Sequence, residues 1–204
     1  MSGYFIGTSI VINDDAAYIH ESFSTVGVGT TENVKITASD GAYDDRFGSS
    51  VAVGSGRIVV GAYRNDDIIP NSGSAYIFDL DGTNEVKITA SDAAGSDNFG
   101  ISVAVGSGRI VVGAPYDNDN GFESGSAYIF DLDGNQLTKI TASDGASTDY
   151  FGYSVAVGSG RIVVGAYEDD DNGSNSGSAY IYETPQVYTL YDAIDLQSVG
   201  ITTL

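Results

Sequence analysis

The chain has 204 residues, 28 acidic against 8 basic side chains for a net charge of −20, 27 glycines and no cysteine. Disulfides, thiolate zinc sites and a cysteine nucleophile are therefore excluded, and so dense a negative charge repels the phosphate backbone of nucleic acids. No run approaches the roughly 18 apolar residues of a transmembrane helix, and the start of the chain lacks the basic and apolar regions of a secretory signal.

Short Val/Ile/Tyr runs separated by Gly, Asp, Asn and Ser read as strands. From the N-terminus, residues 8–13, 16–21 and 34–39 are three such runs. The segment SVAVGSGRIVVGA then occurs verbatim at 50–62, 102–114 and 154–166, a period of 52. KITASD recurs from Lys35, Lys87 and Lys139, and SGSAYI from Ser72, Ser124 and Ser176. A period of this size implies a propeller, a solenoid or an array. One unit reads as four strands, at 47–53, 57–62, 74–80 and 85–91, joined by Gly-Ser-Gly, an Asp/Asn-rich loop and Asp-Leu-Asp-Gly. Four short antiparallel strands per unit is the pattern of a propeller blade.

The N-terminal runs match strands two, three and four of a unit, and 186–191 serves as the fourth strand of the last unit, which leaves 194–201 over. The expected layout is a single all-β domain over 1–204. It has a degenerate blade at 1–41, repeats at 42–91, 92–143 and 144–191, and a closing strand at 192–204. This is a small β-propeller of four blades of four antiparallel strands, closed by pairing of the N- and C-terminal strands, which removes exposed sheet edges. An open three-blade stack completed by another subunit, and a β-solenoid, are the competing layouts.

Phe-Gly at 47/48, 99/100 and 151/152, followed by Val-Gly-Ala at 60–62, 112–114 and 164–166, resembles the FG-GAP repeat, with the full Gly-Ala-Pro only at Gly113, Ala114 and Pro115. The Gly-Ser-Ala-Tyr-Ile and Lys-Ile-Thr-Ala-Ser-Asp segments are similar to versions of this repeat in bacterial and viral surface proteins. The resemblance implies a propeller like that of integrin α-subunit head domains, used for adhesion and ligand binding more often than catalysis. Two departures limit it. Familiar members have seven blades, and their calcium loop lies between the first two strands of a blade, where this chain has only Gly-Ser-Gly.

In an alternating blade, the links between strands two and three share a face with the links between blades. This upper face is expected to carry most of the acidity, including Asp45, Asp97 and Asp149, with Arg57, Arg109, Arg161, Lys35, Lys87 and Lys139 towards the opposite face. Where the three copies differ, they differ mainly in the upper loops, where binding surfaces are usually built. Tyr43, Tyr63, Tyr116, Tyr150 and Tyr167 lie in or beside these loops and form the candidate binding face. Asp117, Asp119 and Glu123, and Asp169, Asp171 and Asn175, place oxygens at alternate positions around a glycine, and calcium is the one cofactor they suggest. Asx-type turns satisfying backbone donors are the competing reading. Phe47, Phe99 and Phe151 are expected to anchor the core between blades.

No acid pair is singled out for glycoside hydrolysis, and the sole histidine, His20, would have to support any Ser/His/Asp arrangement alone. The expectation is a non-enzymatic structural or attachment module of a virion or cell surface, presenting its acidic loop face to a protein partner in a larger assembly or to a surface glycan. A homo-oligomer is compatible with it, and neither nucleic acid nor a transmembrane segment is. The alternatives are a free carbohydrate- or protein-binding propeller with calcium-stabilised loops, and a glycan-active enzyme.

Overall fold

The computed structural model describes residues 9–13, 16–20, 32, 34–67 and 69–184. The chain divides into two units, Met1–Lys35 and Ile36–Leu204. In the first, β1 (Ser9–Asn13) and β2 (Ala16–His20) form an antiparallel hairpin, with Ser9 opposite His20 and Asn13 opposite Ala16.

In the second unit, β3 (Ser50–Gly54), β4 (Arg57–Ala62), β5 (Ser74–Asp79) and β6 (Val86–Ile88) make a four-stranded antiparallel meander. One period on, β7 (Ser102–Gly106), β8 (Arg109–Ala114), β9 (Ser126–Phe130) and β10 (Gln136–Ile140) repeat it. A third sheet contains β11 (Ser154–Gly158), β12 (Arg161–Ala166) and β13 (Ser178–Glu183). Among the described residues the protein is all-β, without a helix able to cross a membrane.

The expected strand at 34–39 is absent: these residues carry no ladder, whereas the copies of Lys35 and Ile36 sit in β6 and β10. Propensity is equal in the three copies, so the difference lies in the partner strand, which β5 and β9 supply for the later two. The expected strands at 186–191 and 194–201, and with them the ring closure, fall outside the described residues.

The core lies between the sheets. Val59, Ala75 and Ile77 of the first sheet pack on Val103 and Val105 of the second, with Phe99 between them. Ala104, Val111 and Ile129 do the same with the third, around Phe151. Both phenylalanines are fully buried, as the anchoring reading expects, and each meets two rings edge-on: Phe99 with Tyr128 and Phe130, Phe151 with Tyr180 and Tyr182. Central strands enclosed on both faces need apolar side chains in both alternating sets, which RIVVGA and SAYIF provide.

Neighbouring sheets approach closely enough for backbone to meet backbone. A Cβ added at Gly106 would stand 2.7 Å from the carbonyl oxygen of Val157, but one at Gly158, its copy on the third sheet, meets nothing within 4 Å among the described residues. Gly106→Ala should therefore cost about 1–3 kcal/mol through overpacking, while Gly158→Ala should stay within about 0.5 kcal/mol of the parent. Urea unfolding of both variants in dilute solution checks this. Equal losses would show that the glycines act through local backbone conformation instead.

Candidate functional site

The upper loops are tied to each other by backbone hydrogen bonds. The amides of Ser96, Asn98 and Phe99 donate to the carbonyls of Pro70, Asn71 and Ser72 over 3.0–3.1 Å. One period later, those of Thr148, Tyr150 and Phe151 donate to Phe122, Glu123 and Ser124 over 2.8–3.2 Å. Non-glycine residues take left-handed backbone at matching positions, Asp44, Ser96 and Thr148 (φ 68, 69 and 70°) and Arg46, Asn98 and Tyr150 (φ 62, 55 and 55°), and in the later two copies these bonds hold them there. Such conformations cost on the order of 1–3 kcal/mol each and persist where the surroundings over-determine them.

On this frame the side chains form a groove of about 790 Å³, lined among others by Tyr43, Tyr63, Tyr116, Tyr153, Asp44 and Asp66. Three of the five predicted tyrosines line it. Tyr150 and Tyr167 continue the aromatic surface beside it. Tyr150 lies edge-on to Tyr116 at 5.4 Å between ring centroids and stacks on Tyr167 at 5.4 Å, and Tyr167 meets Tyr153 at 4.5 Å. Tyr153 was not among the predicted residues. Its signal was available: it occupies the position of Ser49 and Ile101, just after Phe-Gly, and only in the third copy is it a tyrosine. The Tyr150 hydroxyl donates to Glu123 Oε2 at 2.7 Å. That bond, then burial, raises the Tyr150 phenol, while burial and then the bond to Glu168 push Tyr167 up to about 12.

The acids are less free than their number suggests. Asp45, Asp97 and Asp149, expected on the open face, are buried and accept the amides of Ala42, Ala94 and Ala146, each over 2.7 Å. They hold the links between sheets in shape. Asp117 and Asp169 are buried too. Each accepts an amide two residues on, from Asp119 at 3.0 Å and Asp171 at 3.1 Å, which is the geometry of Asx turns.

Lys87 and Lys139 stand on the upper side, contrary to the expectation that grouped them with the arginines. On β10, Lys139 is opposite Tyr128. Its ammonium lies 5.2 Å from that ring's centroid and reaches Asp92 at 2.8 Å, Asp117 at 2.9 Å and Asp119 at 2.6 Å. The backbone position alone misleads because the flexible four-carbon stem carries the charge away from it. Lys87 likewise bonds Asp40, at 2.7 Å, and Asp67. Arg57 does lie at the lower turns, with Asp79 and the carbonyl of Leu132.

These contacts bear on the calcium ligands. Asp92, Asp117 and Asp119 bring carboxylate oxygens within 4.8 Å of one another, but the third member is Asp92 and not Glu123, which is engaged by Tyr150. Lys139 supplies the positive charge in that cluster. Burial disfavours its charge, and the hydrogen bonds to Asp119, Asp92 and Asp117 outweigh burial and raise its pKa. In the third sheet, Tyr180 donates to Asp144 at 2.9 Å and Asp169 at 2.7 Å. The charge of Asp169, then that of Asp144, raises Asp171. Asn175 donates to Glu168 at 3.2 Å.

The FG-GAP repeat family model matches the chain at 30–78, 83–130 and 135–182. No curated protein matches it.

Two stability measurements test this network. Lys139→Gln should destabilise by about 2 kcal/mol or more, less than a fully buried pair because Asp92 and Asp119 reach solvent; an unchanged urea midpoint would show the cluster to be solvated. Burial, only partly offset by the Ala94 amide, pushes Asp97 up to about 6 from an ordinary 3.8. Folding therefore takes up a proton between these values, so the stability contributed by protonated Asp97 is full below about pH 4 and is lost as pH rises through 6. Relative to Asp97→Asn, the parent should lose on the order of 2 kcal/mol from pH 4 to 7. A pH-independent difference would remove Asp97 from the account.

Proposed function

This chain belongs to the FG-GAP repeat family, and we propose that it is a non-enzymatic attachment module that presents a tyrosine-lined loop groove to a surface glycan. The observation that carries the reading is the combination of a fixed frame and varied side chains. Matching left-handed positions hold Asp44, Ser96 and Thr148, or Arg46, Asn98 and Tyr150, so the loop backbone repeats while the chemistry it displays changes. Tyrosine gives large, rigid contact area at low entropic cost and a hydroxyl that can hydrogen-bond. Asp66 beside the rings supplies an acceptor for sugar hydroxyls, and Arg64, held by Asp44 at 2.7 Å, supplies donors.

The distribution of acids supports a binder over an enzyme. Asp97, a carboxyl group pushed up to about 6, is buried and spent on a backbone amide, and it is its neighbours Ser96 and Asn98 that line the groove. The negative charge favours neutral or cationic partners. Placement on a virion or cell surface rests on the kind of protein in which similar repeats are found.

Applying the purified chain to an array of neutral and charged glycans tests the reading. Binding should favour neutral or cationic glycans over sulfated and sialylated ones. Tyr116→Ser combined with Tyr153→Ser should weaken it on the order of tenfold or more, with the melting temperature retained. Failure to bind any glycan, or binding indifferent to the double substitution, would overturn the proposal.

A further inference from the structure

The two interfaces between neighbouring sheets are built alike, each from a half given by the earlier sheet and a half given by the later. The earlier half offers a serine hydroxyl and three loop carbonyls. Ser50 Oγ donates to the carbonyl of Gly100 at 2.8 Å, and Ser102 Oγ to that of Gly152 at 2.7 Å. The loop carbonyls accept the amides described above. The later half offers Phe-Gly and the outward valines of its first strand.

Both halves recur on the same chain without a partner sheet among the described residues. On the third sheet, Ser154 and the carbonyls of Ser174, Asn175 and Ser176 have the earlier-half sequence but no such partners among the described residues. Ile181 there is 69 % exposed, against 2 % and 8 % for its copies Ile77 and Ile129. On the first sheet, the amides of Asp44, Arg46 and Phe47 have no counterpart, among the described residues, of the acceptors that their copies have. Val51 and Val53 are 69 % and 71 % exposed, whereas Val103 and Val105 are 9 % and 8 %. This half is already shaped: Phe47 packs edge-on to Tyr76 and Phe78, as Phe99 does one period later, and Gly48 has the left-handed φ of its copies.

The docked halves indicate which partner fits. Phe99-Gly100 and Phe151-Gly152 are each docked on the sheet before them. The Phe-Gly half left open is Phe47-Gly48. We infer that the open face of the third sheet receives the open face of the first sheet of a second copy of this chain, head to tail, in the register that joins sheets within the chain. The contact uses different patches on the two partners, so it propagates until a ring closes. It uses the sides of the sheets and the loop backbone, and it touches the groove only through the backbone of Asp44.

The full chain should show a weight-average mass, by sedimentation or light scattering, that rises with concentration. Val53→Asp and Ile181→Asp each disable one half and should weaken association at least about tenfold, as should Gly158→Ala, which leaves the isolated sheet undisturbed. Mixed together, Val53→Asp and Ile181→Asp should recover a complex of two chains and no larger, because one intact half remains on each. On the unmodified chain, hydrogen exchange at the amides of Asp44, Arg46 and Phe47 should slow as concentration rises. A single-chain mass at every concentration overturns the inference, and if those amides are nevertheless protected, the faces are satisfied within one chain. Association that none of the three substitutions affects also overturns it.

Discussion

The close approach of backbone to backbone between neighbouring sheets is the constraint from which the remaining features follow. Side chains normally keep packed sheets about 10 Å apart, but here Gly73 and Gly125, at the end of the loops, face the carbonyls of Phe99 and Phe151 at distances a Cβ would not tolerate. That proximity brings the loop of one sheet within hydrogen-bonding range of the link into the next. The resulting bonds, such as Tyr150 to Glu123, fasten the left-handed backbone of the link to the loop of the sheet before it. Removing the glycines from this arrangement would therefore disturb the tyrosine groove as well as the core.

A second layer of order comes from charge held in place. The chain has 28 acids and 8 bases, so its few cations matter individually. Lys139 spans Asp92, which enters from the link before the second sheet, and Asp117 and Asp119, which belong to the loop within it. Tyr128, fully buried, donates to the first two of these acids from below. The lysine and the phenol thus fasten the link to the loop. Burial opposes the charge on Asp92, and the bonds from Lys139 and Tyr128 outweigh it and keep the pKa low. Acidity that reads as solvated surface in the sequence is in part internal scaffolding.

What the sequence revealed follows from what repeats can encode. Because the 13-residue segment recurs unchanged, the strands Arg57–Ala62, Arg109–Ala114 and Arg161–Ala166 were legible to the residue, as were the anchoring Phe99 and Phe151. The five tyrosines were legible as loop residues, although their division between a groove and an aromatic surface beside it was not. Three things were hidden. The reach of Lys87 and Lys139 depends on side-chain direction, which strand alternation does not specify. The burial of Asp45, Asp97 and Asp149 depends on a carboxylate turning back to an amide three residues earlier. The missing ladder at 34–39 depends on a partner strand that local propensity does not describe.

The division between constant and variable residues separates two kinds of surface. Residues that recur verbatim, the SVAVG strands and their glycines, face neighbouring sheets, where an altered side chain would break register. Those that vary, such as Arg46, Asn98 and Tyr150, project from backbone that the frame holds in one conformation. A change at the first kind of position is felt by two sheets at once, whereas a change at the second alters only the displayed chemistry. A head-to-tail addition in the inter-sheet register would leave every loop groove on the same side. Weak contacts at single grooves would then combine through effective concentration, without any new contact inside a groove. Recognition would thus draw on the varying loop side chains and assembly on backbone and sheet faces, with the glycine contacts between sheets as their common support.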